Sequence, residues 1–153
     1  MKKVPQTYWC TLELAVFRTA ILVLVAQDKD TILEDLPYIY SKLGISKEDT
    51  KEDYKIIFKA FLEDVDDNLP PGYTIRLTNA SGDVIMMFNA ENISKVTEEL
   101  IVHETHHAAH FVCSYRGIED EECETYVQEY LFNRMLNKID EWDETHKKKG
   151  KKK

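Results

Sequence analysis

Residues 20–26 (AILVLVA) are a continuous run of apolar, mostly branched side chains whose length suits a strand buried in a core. After Asp28 and Asp30 the period changes: Ile32, Leu36, Ile39, Tyr40 and Leu43 fall at helical spacing. Pro37 marks a kink or a first turn of this helix, and Gly44 ends it. Ser46 with Asp49 three residues on begins a second helix. In it Tyr54, Ile57, Phe58, Phe61, Leu62 and Val65 recur at i, i+3, i+4, i+7, i+8 and i+11, a wide apolar stripe. Residues 68–72 (NLPPG) break the pattern.

From 73 to 78 the period becomes two, with Tyr73, Ile75 and Leu77 on one side. Residues 79–82 (NASG) are turn material and residues 84–88 (VIMMF) are apolar again, which predicts a β-hairpin. Ser94 caps a third helix running to about Arg116, closed by Gly117, and a last helix runs from near Asp120 to about Trp142. The predicted order is β-α-α-β-β-α-α. The fold class is therefore α+β, with a small, mainly antiparallel sheet packed on helices. No repeat or internal boundary appears, so residues 1–146 read as one domain.

Composition narrows the function. The chain has 153 residues, 43% of them hydrophobic, enough for one core. Its net charge is -8 even with Lys147, Lys148, Lys149, Lys151, Lys152 and Lys153 counted. A body this acidic lacks the basic face that nucleic acid requires, which leaves only the lysine tail for such a partner. Residues 147–153 are expected to be disordered, because a lysine run buries nothing. Residues 14–26, the longest apolar stretch, contain Arg18 and Thr19 and are too short to span a bilayer, so no membrane partner is expected. Met1-Lys2-Lys3 is followed by Pro5-Gln6-Thr7 in place of a signal-peptide core. Three cysteines, Cys10, Cys113 and Cys123, have no framework spacing, which points to a reduced, cytoplasmic setting.

The candidate chemistry lies in His103-Glu104-Thr105-His106-His107, an H-E-x-x-H motif on the third helix. Each helical residue turns about 100°, so His103 and His107 lie about 40° apart, one turn along the axis, and can converge on one ion. Two imidazoles at this spacing point to Zn2+, and Glu104 is placed to take a proton from metal-bound water. The third ligand has to come from elsewhere. The acidic start of the last helix supplies candidates, and helical phase leaves Glu119, Glu122 and Glu124 open. His106 and His110 are further donors; Tyr126, Tyr115 and His110 are candidates to stabilise an oxyanion. A substrate peptide would add to an exposed sheet edge, for which residues 84–88 are the expected strand.

The stretches VHETHHAA (102–109), Gly117-Ile118 and ECETYVQEYL (122–131) together resemble small phage-type zinc metallopeptidases and, more broadly, minimal gluzincins. The resemblance covers about the last third of the folded chain and extends to the rest only as a layout of elements. It implies a zincin-like domain that hydrolyses a peptide bond in a protein or peptide substrate in a host cytoplasm. It also implies the third zinc ligand, the glutamate four residues before the tyrosine, which is Glu122. Thr125 stands where the family usually has alanine. The alternative is a non-catalytic zinc-binding structural or interaction protein, in which His106 or His110 completes a closed site that clamps the last two helices.

Overall fold

The computed structural model describes residues 4–64, 69–77 and 83–150. A four-stranded sheet in the order β1-β2-β4-β3 is built from β1 (Tyr8–Leu14), β2 (Thr19–Ala26), β3 (Gly72–Arg76) and β4 (Val84–Asn89). Four helices pack on it: α1 (Lys29–Lys42), α2 (Lys47–Asp64), α3 (Glu98–Tyr115) and α4 (Glu121–Gly150). The α+β class is as expected. The order along the chain is β-β-α-α-β-β-α-α, one strand more than predicted. β1 alternates Tyr8, Cys10, Leu12 and Leu14 toward one face, a period-two signal that the apolar stretch beginning at Leu14 obscures.

The sheet is mixed. β1 pairs antiparallel with β2, and β3 antiparallel with β4, but the two central strands β2 and β4 run parallel, with Val23 opposite Met86. Parallel neighbours need a long crossover, here supplied by α1, α2 and β3. Both central strands are covered on both faces. Ile21, Val23 and Val25 join Val84, Met86 and Phe88 against α3 and α4. Leu22, Leu24 and Ala26 join Ile85 and Met87 against α1 and α2. Double coverage is why these strands read as unbroken apolar runs.

Local chemistry sets the helix ends. The Asp28 carboxylate accepts from the Thr31 backbone N–H at 2.8 Å to start α1, and Pro37 lies in its interior with its ring exposed. Ser46 accepts from the Asp49 N–H at 3.1 Å and starts α2. Gly44 and Gly117 take φ of 74° and 70° and terminate α1 and α3, as their positions suggested. The expected cap at Ser94 is corrected. Asn92 and Ser94 form a short 3-10 turn, and the α3 cap is Thr97, which accepts from the Leu100 N–H. Asp120 accepts from the Glu122 and Cys123 N–H groups at the start of α4.

α4 runs through Lys147 to Gly150, beyond the expected end of the folded domain at residue 146; residues 151–153 lie outside the described residues. Trp142 packs edge-on against Tyr8 at 5.4 Å and holds the later part of α4 to β1. The α2 stripe is only partly used: Ile57 and Phe61 are buried, while Phe58 is 43% and Leu62 67% exposed. Val65 and the hairpin turn at 79–82 lie outside the described residues. Among the described residues no helix is long and apolar enough to cross a membrane.

One buried carboxylate ties the N-terminal segment to this frame. Asp35 of α1 is 4% exposed, and its Oδ2 accepts from the Gln6 N–H (2.9 Å), the Thr7 N–H (2.8 Å) and the Thr7 hydroxyl (2.8 Å). Asp35→Ala removes a charged acceptor from three donors and is predicted to lower unfolding stability by ~2–4 kcal/mol in urea titrations. A loss below ~0.5 kcal/mol would mean that water replaces the carboxylate at no net penalty.

Candidate metal centre

α3 lies with Ile101, Ala108, Ala109, Val112 and Cys113 packed toward the sheet. This fixes the helix rotation and sorts the motif into two environments. His103, His106, His107 and His110 stand on the exposed side, whereas Glu104 is only 2% exposed. Glu104 is thus on the edge of the buried face that lies against β3.

Two features of β3 receive it. The Thr74 hydroxyl donates a hydrogen bond to Glu104 Oε2. At Gly72 the backbone approaches so closely that a Cβ there would fall 2.6 Å from Glu104 Oε1 and 2.7 Å from its Cγ. Glycine is needed at that position because the carboxylate occupies the space of a side chain. The second oxygen, Oε1, lies 3.9 Å from His103 Nε2.

The Nε2 atoms of His103 and His107 stand 3.1 Å apart, their rings at 83° to one another. At that separation one imidazole can donate its N–H to the other. The same placement suits joint ligation. Two nitrogens each about 2.0–2.1 Å from a tetrahedral zinc are about 3.3–3.4 Å apart, so the pair needs to open by only a few tenths of an ångström. The donor pair therefore fits zinc in type and spacing.

The carboxylates of α4 are placed differently. Glu122, on the exposed first turn, accepts from the Tyr126 hydroxyl at 3.2 Å. Glu124 lies 3.4 Å from His110 Nδ1 and links α4 to α3 there, and Glu119 is exposed ahead of the helix. Among the described residues no third His, Cys, Asp or Glu forms a group with the imidazole pair that could hold a metal. The structure thus brings His103, His107 and Glu104 together and leaves Glu122 with Tyr126. The His106 and His107 ring centroids are 6.1 Å apart. Of the expected oxyanion donors, Tyr126 and His110 are engaged with Glu122 and Glu124, and Tyr115 lies at the far end of α3 beside Arg116.

The expected edge strand is corrected. β4 lies between β2 and β3, so its apolar run reflects a central position; the sheet edge beside the motif is β3. Sequence reasoning also missed Gly72, Thr74 and Gln128. Gln128 Nε2 donates to the Val102 carbonyl at 3.1 Å and latches α4 to α3 one residue before His103. The period-two pattern already set Thr74 opposite Tyr73 and Ile75. What no local pattern contained was the identity of the helix on that side. No protein-family model, curated protein or solved structure matches the chain.

The fit between Gly72 and Glu104 is testable as a coupling. Gly72→Ala is predicted to cost about 1–3 kcal/mol of stability by displacing the carboxylate. In a Glu104→Ala background the same change should cost at least about 1 kcal/mol less, since the clashing atoms are gone. Additive losses in the double-mutant cycle would refute the close packing.

Proposed function

We propose that this chain is a zinc-dependent metallopeptidase in which His103 and His107 ligate the ion and Glu104 is the general base. The observation that carries the reading is the joint placement of two convergent imidazole nitrogens, 3.1 Å apart, with a buried carboxylate 3.9 Å from one of them, beside a sheet edge. Bound zinc would polarise the scissile carbonyl and bring the pKa of its water to about 7.

The chain's own groups account for the rest. Thr74 holds Oε2 of Glu104, which leaves Oε1, the oxygen facing His103, to take the proton from the attacking water and return it to the leaving amine. The bond formed is C–O to the carbonyl carbon, and the bond broken is the peptide C–N. β3 offers main-chain groups to an extended peptide, which would bring the scissile bond alongside the motif. Glu122 is the proposed third protein ligand, and its carboxylate must give up Tyr126 to serve. A cytoplasmic setting is the one suggested by three cysteines without framework spacing; burial pushes the Cys10 and Cys113 thiols up to about 11, which keeps both protonated at neutral pH.

A second reading is a non-catalytic zinc-binding protein, in which His106 or His110 completes a closed site. The two separate on one set of variants. Protein purified without chelators should carry about one zinc per chain by elemental analysis, and His103→Ala or His107→Ala should lose it. Glu104→Gln should keep the metal and lose at least about 100-fold of its hydrolysis of an unstructured protein substrate. Zinc-free wild-type protein would end the metal reading. Zinc-loaded protein that cleaves nothing would favour the non-catalytic one, and hydrolysis undiminished in Glu104→Gln would remove Glu104 as the base.

A further inference from the structure

On the opposite face of the sheet from α3, α1 and α2 enclose a groove of about 780 Å3. Pro37, Ile45 and Tyr54 give it an apolar lining, and Lys47, Lys51 and Lys55 stand along it. Those lysines recur every fourth residue, so they form a single cationic line on α2. All three are exposed. The lysine ion pairs formed among the described residues engage Lys59 and Lys138 instead. The apolar lining continues past the groove, because Tyr54 stacks on Phe58 at 6.1 Å and Leu62 follows one turn later. The α2 helix thus keeps part of its apolar stripe exposed beside three lysines that line the groove, on a chain whose net charge is -8.

We propose that this groove docks an acidic segment of a partner protein that also carries apolar side chains. The lysine line supplies the charge complement for Asp and Glu of the partner, and Tyr54, Phe58 and Leu62 supply the surface for its apolar side chains. Charge also sets the size of the occupant. Glu48, Asp49 and Glu52 lie on the same two turns as the lysines. A long polyanion such as nucleic acid or an anionic bilayer would meet these carboxylates and the acidic body together. A short segment seated in the groove meets the lysine line alone. The site is on the far side of the sheet from the His-rich helix, so the proposal holds or fails independently of the metal reading.

The test uses the full chain and a fluorescein-labelled synthetic peptide of Glu, Leu and Phe, with a counterpart carrying Gln for Glu, followed by fluorescence anisotropy. The acidic peptide should bind saturably, more tightly than the Gln peptide, and more weakly as salt shortens the Debye length below about 8 Å. Lys47→Glu/Lys51→Glu/Lys55→Glu should weaken it at least about tenfold, with circular dichroism unchanged because all three sites are exposed. Leu62→Ser, which leaves every charge in place, should weaken it severalfold. If the charge reversals perturb the fold, the Lys→Gln triple variant should give the same loss in smaller measure. Absence of saturable binding, or equal affinity in the lysine variants, overturns the proposal. So does tighter binding of oligothymidine or phosphatidylserine vesicles that the same variants abolish.

Discussion

The double burial of β2 and β4 is the constraint on which the rest of this structure depends. A strand covered on both faces must find a helical layer on each side, and the chain supplies two pairs, α1 with α2 and α3 with α4. Because the α1–α2 pair lies between β2 and the β3–β4 hairpin in sequence, β4 can return parallel to β2. The hairpin then places β3 at the end of the sheet and directly against α3. The edge position of β3, and hence the surroundings of Glu104, follow from satisfying the core.

Glu104 shows how that arrangement handles an ionisable group. A carboxylate this deeply buried would be a liability against a purely apolar wall. Here it meets a hydroxyl from Thr74 and a strand made shallow by Gly72, so it is both hydrogen-bonded and held in one place. The neighbouring histidines need the opposite treatment, since a metal and a substrate must reach them from solvent. The 3.6-residue period achieves both within one turn: Glu104 falls on the buried side, and His103 and His107 on the exposed side.

Much of this was legible in the sequence, and the remainder was hidden for physical reasons. The helix starts at Asp28 and Ser46, the stops at Gly44 and Gly117, and the convergence of His103 with His107 are local properties, written in spacing and capping chemistry. β1 was legible in principle from Tyr8, Cys10, Leu12 and Leu14, but its polar positions make a weaker signal than the solid run of β2. The strand neighbours of β4 were not legible, because an apolar run records burial without naming what buries it. Thr74 lies thirty residues before Glu104, and their contact exists only once the hairpin docks on α3. Glu122 came from resemblance rather than from phase, and its phase carries it to the outer turn with Tyr126.

The terminal position of β3 has a consequence for the chain's behaviour in solution. An unpaired strand edge is a template for any extended polypeptide, including another molecule of the same chain. The opposite edge, β1, is partly shielded by α4, whose Tyr130 hydroxyl donates to the Glu13 carbonyl and whose Trp142 lies against Tyr8. β3 is packed on both faces, against α3 on one and through Ile75 and Tyr73 against the α1–α2 core on the other, but no described strand pairs with its outer edge. Among the described residues, its brevity, five residues, and the exposed charge of Arg76 work against self-association. Openness at this edge and resistance to aggregation therefore draw on the same short strand, and lengthening it would strengthen the first at the expense of the second.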